Sequence, residues 1–127
     1  MIIITGSKSF IGKKLIHNLE KKNKKIFKID INENDSINSK KINFKNKNIS
    51  KYIKKESTIV HLAAISNDSD GRKNPHLTFD VNVNGTINLL EAAKIKRIKH
   101  FIFASTEWVY DKNEKKINNE NDNIIFS

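Results

Sequence analysis

Short β-branched apolar runs alternate with stretches of helical periodicity along most of this chain, and that alternation constrains the fold most strongly. Residues 2–4 (III) read as a buried strand. Residues 11–22 place Ile11, Leu15, Ile16 and Leu19 on one helical face. Residues 26–31 (IFKIDI) read as a second strand, and residues 32–40 as a polar loop. Ile42 and Phe44 suggest a short third strand. Ile49, Tyr52 and Ile53 fit one face of a short helix, with Asn48 as its N-cap. Residues 58–63 (TIVHLA) form the fourth strand and residues 66–74 a polar loop. Pro75 suits the first turn of a long helix. That helix carries Leu77, Val81, Ile87, Leu90, Ala93 and Ile98, with Gly85 in its middle. Residues 100–104 (HFIFA) form the fifth strand, and the chain is polar from Asp111 until residues 124–126. Strands joined by helices imply parallel pairing with right-handed crossovers. The expected fold is a single α/β domain over residues 1–127, a doubly wound parallel sheet ordered 3-2-1-4-5.

Composition narrows the function classes. The 127 residues carry a net charge of +10, which raises the question of nucleic acid. Lys, Asn and Ile contribute 22, 18 and 21 residues, and all three are encoded by A/T-rich triplets. Arg, the residue of bidentate base and phosphate contacts, occurs only twice. The basic charge is spread from Lys8 to Lys116, so it reads as compositional background and no nucleic-acid partner is expected. With no cysteine, disulfides and thiolate-held metals are excluded, and no metal site is expected. No apolar run approaches the ~20 residues of a membrane span, and MIIITG lacks a signal peptide's basic start. A soluble cytoplasmic chain with no membrane partner is expected.

The segment Thr5-Gly6-Ser7-Lys8-Ser9-Phe10-Ile11-Gly12 joins the first strand to the first helix. A glycine at the strand end permits a tight turn. A second in the helix's first turn permits close packing on the sheet. The free N–H groups there, with the helix dipole, favour a pyrophosphate. Asp30 ends the second strand, eighteen positions past Gly12. A carboxylate there can accept both ribose hydroxyls of an adenosine and repel a 2′-phosphate. Otherwise the segment is an ordinary turn and Asp30 a solvated acid.

These residues resemble a known family. TGSKSFIG is similar to the T-G-x-x-G-F-I-G fingerprint of extended short-chain dehydrogenases/reductases, the NAD-dependent epimerases and dehydratases of nucleotide sugars. His61-Leu62-Ala63-Ala64 resembles the family's H-L-A-A. Asn82-Val83-Asn84-Gly85-Thr86 resembles N-x-x-G-T, and residues 101–111 (FIFASTEWVYD) resemble S-S/T-x-x-V-Y-G. The resemblance implies a Rossmann-like fold and NAD, preferred over NADP because of Asp30. It implies cofactor contacts from Gly6, Ser9, Phe10, Ile11, Gly12, Asp30, Leu62, Ala63, Ala64 and Asn82. It implies a catalytic role for Thr106, whose hydroxyl would bond the substrate oxygen that gains or loses a proton. A nucleotide-sugar substrate and a homodimer through the helix near residues 76–96 are further implications.

The sequence departs from the family pattern at several points. Ser9 replaces the fingerprint's middle glycine, Asp111 replaces the glycine after Val-Tyr, and Asn43-Phe44 stands where an acid and an adenine-contacting apolar residue are usual. Glu107 is followed by Trp108, so half of the dehydratases' acid pair is present, which favours epimerase or reductase chemistry. Tyr52 and Tyr110 are followed four residues on by Glu56 and Glu114, so no Tyr-x-x-x-Lys pair exists. The expectation is therefore the NAD-binding N-terminal portion of such an enzyme, inactive alone, with the fifth strand an uncovered sheet edge. A stand-alone dinucleotide-binding module and a basic nucleic-acid-binding protein are the alternatives.

Overall fold

The computed structural model describes residues 1–43, 47–106, 109–110, 119–122 and 124. Among them, five parallel strands form one sheet: β1 (Ile2–Thr5), β2 (Ile26–Asp30), β3 (Ser39–Lys41), β4 (Thr58–His61) and β5 (His100–Phe103). Their order is β3-β2-β1-β4-β5, as the alternation predicts. The register sets Phe27, Ile3, Ile59 and Phe101 in one row across four strands. Successive strand residues face opposite sides, so Ile4 serves the other face. The row packs in a core with Leu89, Ala92 and Ala93 from one helix and with Ile49 and Ile53 from a short 3-10 segment and its end. Fully burying an aliphatic side chain of this size contributes about 2 kcal/mol. A modest apolar content suffices because it is concentrated here.

Helix α1 (Phe10–Lys21) packs against β1 and β2. Gly12 and Ile16 are its buried residues, while Ile11, expected on the same face, is 61% exposed. The 3-10 helix spans Lys47–Tyr52 and includes Asn48 rather than starting from it as a cap. Helix α2 (Asp68–Lys73) occupies the expected loop, its start capped by the Asn67 side chain on the Ser69 amide. Five polar residues and Gly71 bury nothing, so no apolar period marks this helix in the sequence.

Two further differences have clear causes. The third strand is Ser39–Lys41, not residues around Ile42 and Phe44; Phe44 lies outside the described residues. This edge strand is Ser-Lys-Lys, with lysines where an exposed edge discourages further pairing. Buried Ile42 follows it directly. The long helix is three pieces in series: α3 (Pro75–Phe79), a π turn (Asp80–Asn84) and α4 (Gly85–Ile95). A π turn holds an extra residue, so the apolar phase read through it slips. The buried positions of α4 are Gly85, Leu89, Ala92 and Ala93, whereas Ile87 and Leu90 are about half exposed.

Candidate functional site

All five strands point their C-terminal ends at one edge, where the β1–α1 and β4–α2 connections meet. Gly6 has φ +68°, a left-handed conformation that favours glycine. A Cβ there would lie 2.8 Å from the Ala63 nitrogen and from the Leu62 carbonyl carbon. At Gly12 it would lie 2.3 Å from the Gly6 carbonyl oxygen. The two glycines thus press the helix start, the turn and the HLAA backbone together. Ser9 caps α1, its Oγ accepting from the Gly12 amide at 3.0 Å. Its φ of −65° suits any residue, so its place in the fingerprint needs no glycine for conformation. The Phe10 and Ile11 amides lie in the first turn, where no helical carbonyl can reach them. Those two donors and the positive helix end are of the kind that favours an anion.

Asp30 is buried at the end of β2. Its Oδ2 accepts from the Lys8 amide at 3.0 Å and its Oδ1 from the Asn32 amide at 2.9 Å. Both oxygens are oriented by backbone and keep lone pairs for further donors. Asp30, Gly6, Ser9, Leu62, Ala63 and Ala64 line one cleft of about 420 Å³, together with Lys8 and Asn43. Six of the ten predicted cofactor residues therefore meet in one concavity. Phe10 and Ile11 sit beside it at the helix start, 91% and 61% exposed, and Gly12 lies beneath.

The wall between β4 and the long helix is held by a chain of hydrogen bonds. Thr86 Oγ1 donates to the Asn82 carbonyl at 2.6 Å. Its single proton is then used, so it accepts from His61 Nε2 at 3.0 Å. His61 Nδ1 is left as an acceptor for Thr5 Oγ1 at 2.6 Å, and Thr5 Oγ1 accepts from the Leu62 and Ala63 amides at 3.2 Å each. This arrangement requires a neutral imidazole, and burial pushes the His61 pKa down to about 4. His61 is thus a structural tie between β1, β4 and the long helix. Among the described residues no group of three or more metal-ligating side chains exists.

Asn82 extends the tie. Its Oδ1 accepts from the Ile65 amide at 2.8 Å and its Nδ2 donates to the Ile65 carbonyl at 3.0 Å. The side chain mimics a strand partner and fixes the loop after β4, and it is not a solvated polar residue. Asn82 and Thr106 line a second, open cleft of about 740 Å³ with Phe79 and Arg72. Ile65 lines both clefts, so they adjoin. Glu107, Trp108 and Asp111 lie outside the described residues.

Sequence reasoning missed one pair. Glu33 is buried, accepts from Ser7 Oγ at 2.8 Å and pairs with Lys8 Nζ at 3.6 Å. The carboxylate lies 26 residues from its serine, and no local pattern reports such a contact.

A parallel sheet ordered 3-2-1-4-5, with a glycine-shaped turn after β1 and a carboxylate at the end of β2, defines a Rossmann-type fold. The model of the NAD dependent epimerase/dehydratase family matches residues 2–124, and the chain belongs to that family. It is 32% identical to a dTDP-D-glucose 4,6-dehydratase from Dictyostelium discoideum, over 98% of this chain and 33% of that protein. It is 30% identical to a putative UDP-glucose 4-epimerase from Methanocaldococcus jannaschii, over 84% of this chain and 38% of that protein. The UDP-glucose 4-epimerase of Thermus thermophilus, solved in complex with NAD, superposes with a TM-score of 0.82 at 20% identity, over 98% of this chain and 44% of that one. The chain thus spans between a third and a half of these proteins' lengths.

Proposed function

We propose that this chain holds NAD, in preference to NADP, as the cofactor-binding portion of a nucleotide-sugar epimerase/dehydratase-like enzyme. The observation that carries the reading is Asp30. Two backbone amides fix its carboxylate at the rim of the cleft that also contains Gly6 and the Leu62–Ala64 backbone. In this reading Asp30 accepts the adenosine ribose hydroxyls, and a 2′-phosphate would meet its charge. Phe10 and Ile11 offer amides to the pyrophosphate, and Ser9 borders it. Asn82 holds the Ile65 loop between the two clefts. Thr106 directs its hydroxyl chemistry at a sugar oxygen in the larger cleft. Bound NAD would supply the hydride acceptor.

The 127-residue chain has no Tyr-x-x-x-Lys pair, so the proton donor of such chemistry is not among its residues. We therefore propose that it does not turn over a nucleotide sugar by itself. The homodimer is supported by exposed apolar side chains on α4, Ile87 and Leu90. Isothermal calorimetry with NAD and with NADP tests the function. Saturable NAD binding with at least tenfold weaker NADP binding is expected. Salt-sensitive DNA binding without NAD binding would overturn it.

A further inference from the structure

We propose that Glu33 sets dinucleotide selectivity by holding the Lys8 ammonium away from the ribose anchor; this deepens the NAD-binding reading and rests on it. Lys8 is an awkward residue to find in this cleft. Its backbone amide orients the Asp30 carboxylate, and the residue lines the same cleft. A cation beside the 2′ position of an adenosine ribose attracts a phosphate there, which works against Asp30.

Glu33 answers that cation. Its carboxylate is buried at 8% exposure, with Oε1 bonded to Ser7 Oγ at 2.8 Å and Oε2 3.6 Å from Lys8 Nζ. Ser7 is itself buried, and its amide donates to the Ile29 carbonyl at 3.3 Å. The carboxylate is therefore held by the fold rather than by the lysine. Lys8 is the exposed member, with its side chain 44% exposed. Held by Glu33, the ammonium is neutralised at the edge of the cleft. Freed, its long stem can sweep the space where a 2′-phosphate would lie. Two carboxylates thus act in series: Asp30 on the ribose, and Glu33 on the lysine of the cleft wall.

The test is the ratio of NADP to NAD affinity, measured by calorimetry on the full chain for wild type, E33Q and E33Q/K8M, with circular dichroism to establish folding. Glutamine preserves a hydrogen bond to Ser7 and removes the charge. The expected result is a rise in the ratio of at least tenfold in E33Q and its return to within threefold of wild type in E33Q/K8M. An unchanged ratio in E33Q, or a rise that persists without Lys8, would overturn the proposal while leaving NAD binding intact. Should E33Q fail to fold, K8M alone carries the test: with the ammonium already held by Glu33, its removal leaves the ratio within threefold of wild type, and a larger fall would show that Lys8 attracts the phosphate in spite of Glu33 and overturn the proposal. Failure of wild type to bind either dinucleotide would instead sink the underlying reading, and this proposal with it.

Discussion

Gly6 and Ser9 show how much of the fingerprint is conformation and how much is ligand. Gly6 is required by the fold, because its φ is positive and the Leu62–Ala63 backbone leaves no room for a Cβ. G6A should lose about 3 kcal/mol, combining left-handed strain of about 1–2 kcal/mol with overlap against backbone. Urea unfolding would show it, and a loss below about 1 kcal/mol would mean the turn relaxes cheaply. Ser9 has ordinary dihedrals and serves as a helix cap, so any cost of replacing glycine falls on the ligand. S9G should tighten NAD several-fold, because it frees the Gly12 amide and removes a Cβ from the pyrophosphate's approach. The same change should cost only a few tenths of a kcal/mol of stability. Weaker NAD binding in S9G would show that the serine hydroxyl is itself a ligand contact.

Among elements, the hydrogen-bonded tie through His61 joins β1, β4 and the long helix. Its pH consequence follows from the depressed pKa. The native imidazole stays neutral down to about pH 4, whereas in the unfolded chain it protonates near ~6.5. Between those values the unfolded chain binds more protons, so stability falls as pH falls through that window. The loss attributable to His61 is up to about 3 kcal/mol. Urea midpoints of wild type and H61N, compared at pH 7 and pH 4.5, would reveal it as a smaller pH difference in the variant. Equal pH differences would exclude the buried neutral imidazole. The elements that escaped sequence reading did so for physical reasons. β3 is an edge strand of Ser and Lys with no apolar alternation, α2 is short and polar, and the π turn shifts the helical phase. The strand order was readable because four strands carry β-branched runs and right-handed crossovers leave few topologies. Gly6, Gly12 and Asp30 were readable because their chemistry is local to a turn or a strand end. Glu33 and the Thr5–His61–Thr86 tie were not, since their partners lie 25 to 56 residues away.

For the whole molecule, two surfaces remain uncovered among the described residues. β5 ends the sheet, with Ile102 and Phe103 more than half exposed. Helix α4 presents Ile87 and Leu90. Both surfaces favour association, the edge by strand pairing and the helix by apolar packing. Light scattering coupled to gel filtration should report a dimer for the wild type. L90E should shift it to monomer if the helix is the interface. A dimer that survives L90E would point to the β5 edge instead. The basic residues are spread along the sequence from Lys8 to Lys116, and no helix among the described residues is long and apolar enough to cross a membrane. The proposed NAD site is therefore the cleft with the Asp30 carboxylate at its rim. Calorimetric titration of wild type and D30N with NAD and NADP tests it most directly. The wild type should select NAD at least tenfold, and D30N should bring the two affinities within about threefold. Equal affinities in the wild type, or selectivity unchanged in D30N, would contradict the assignment of Asp30 as the ribose anchor.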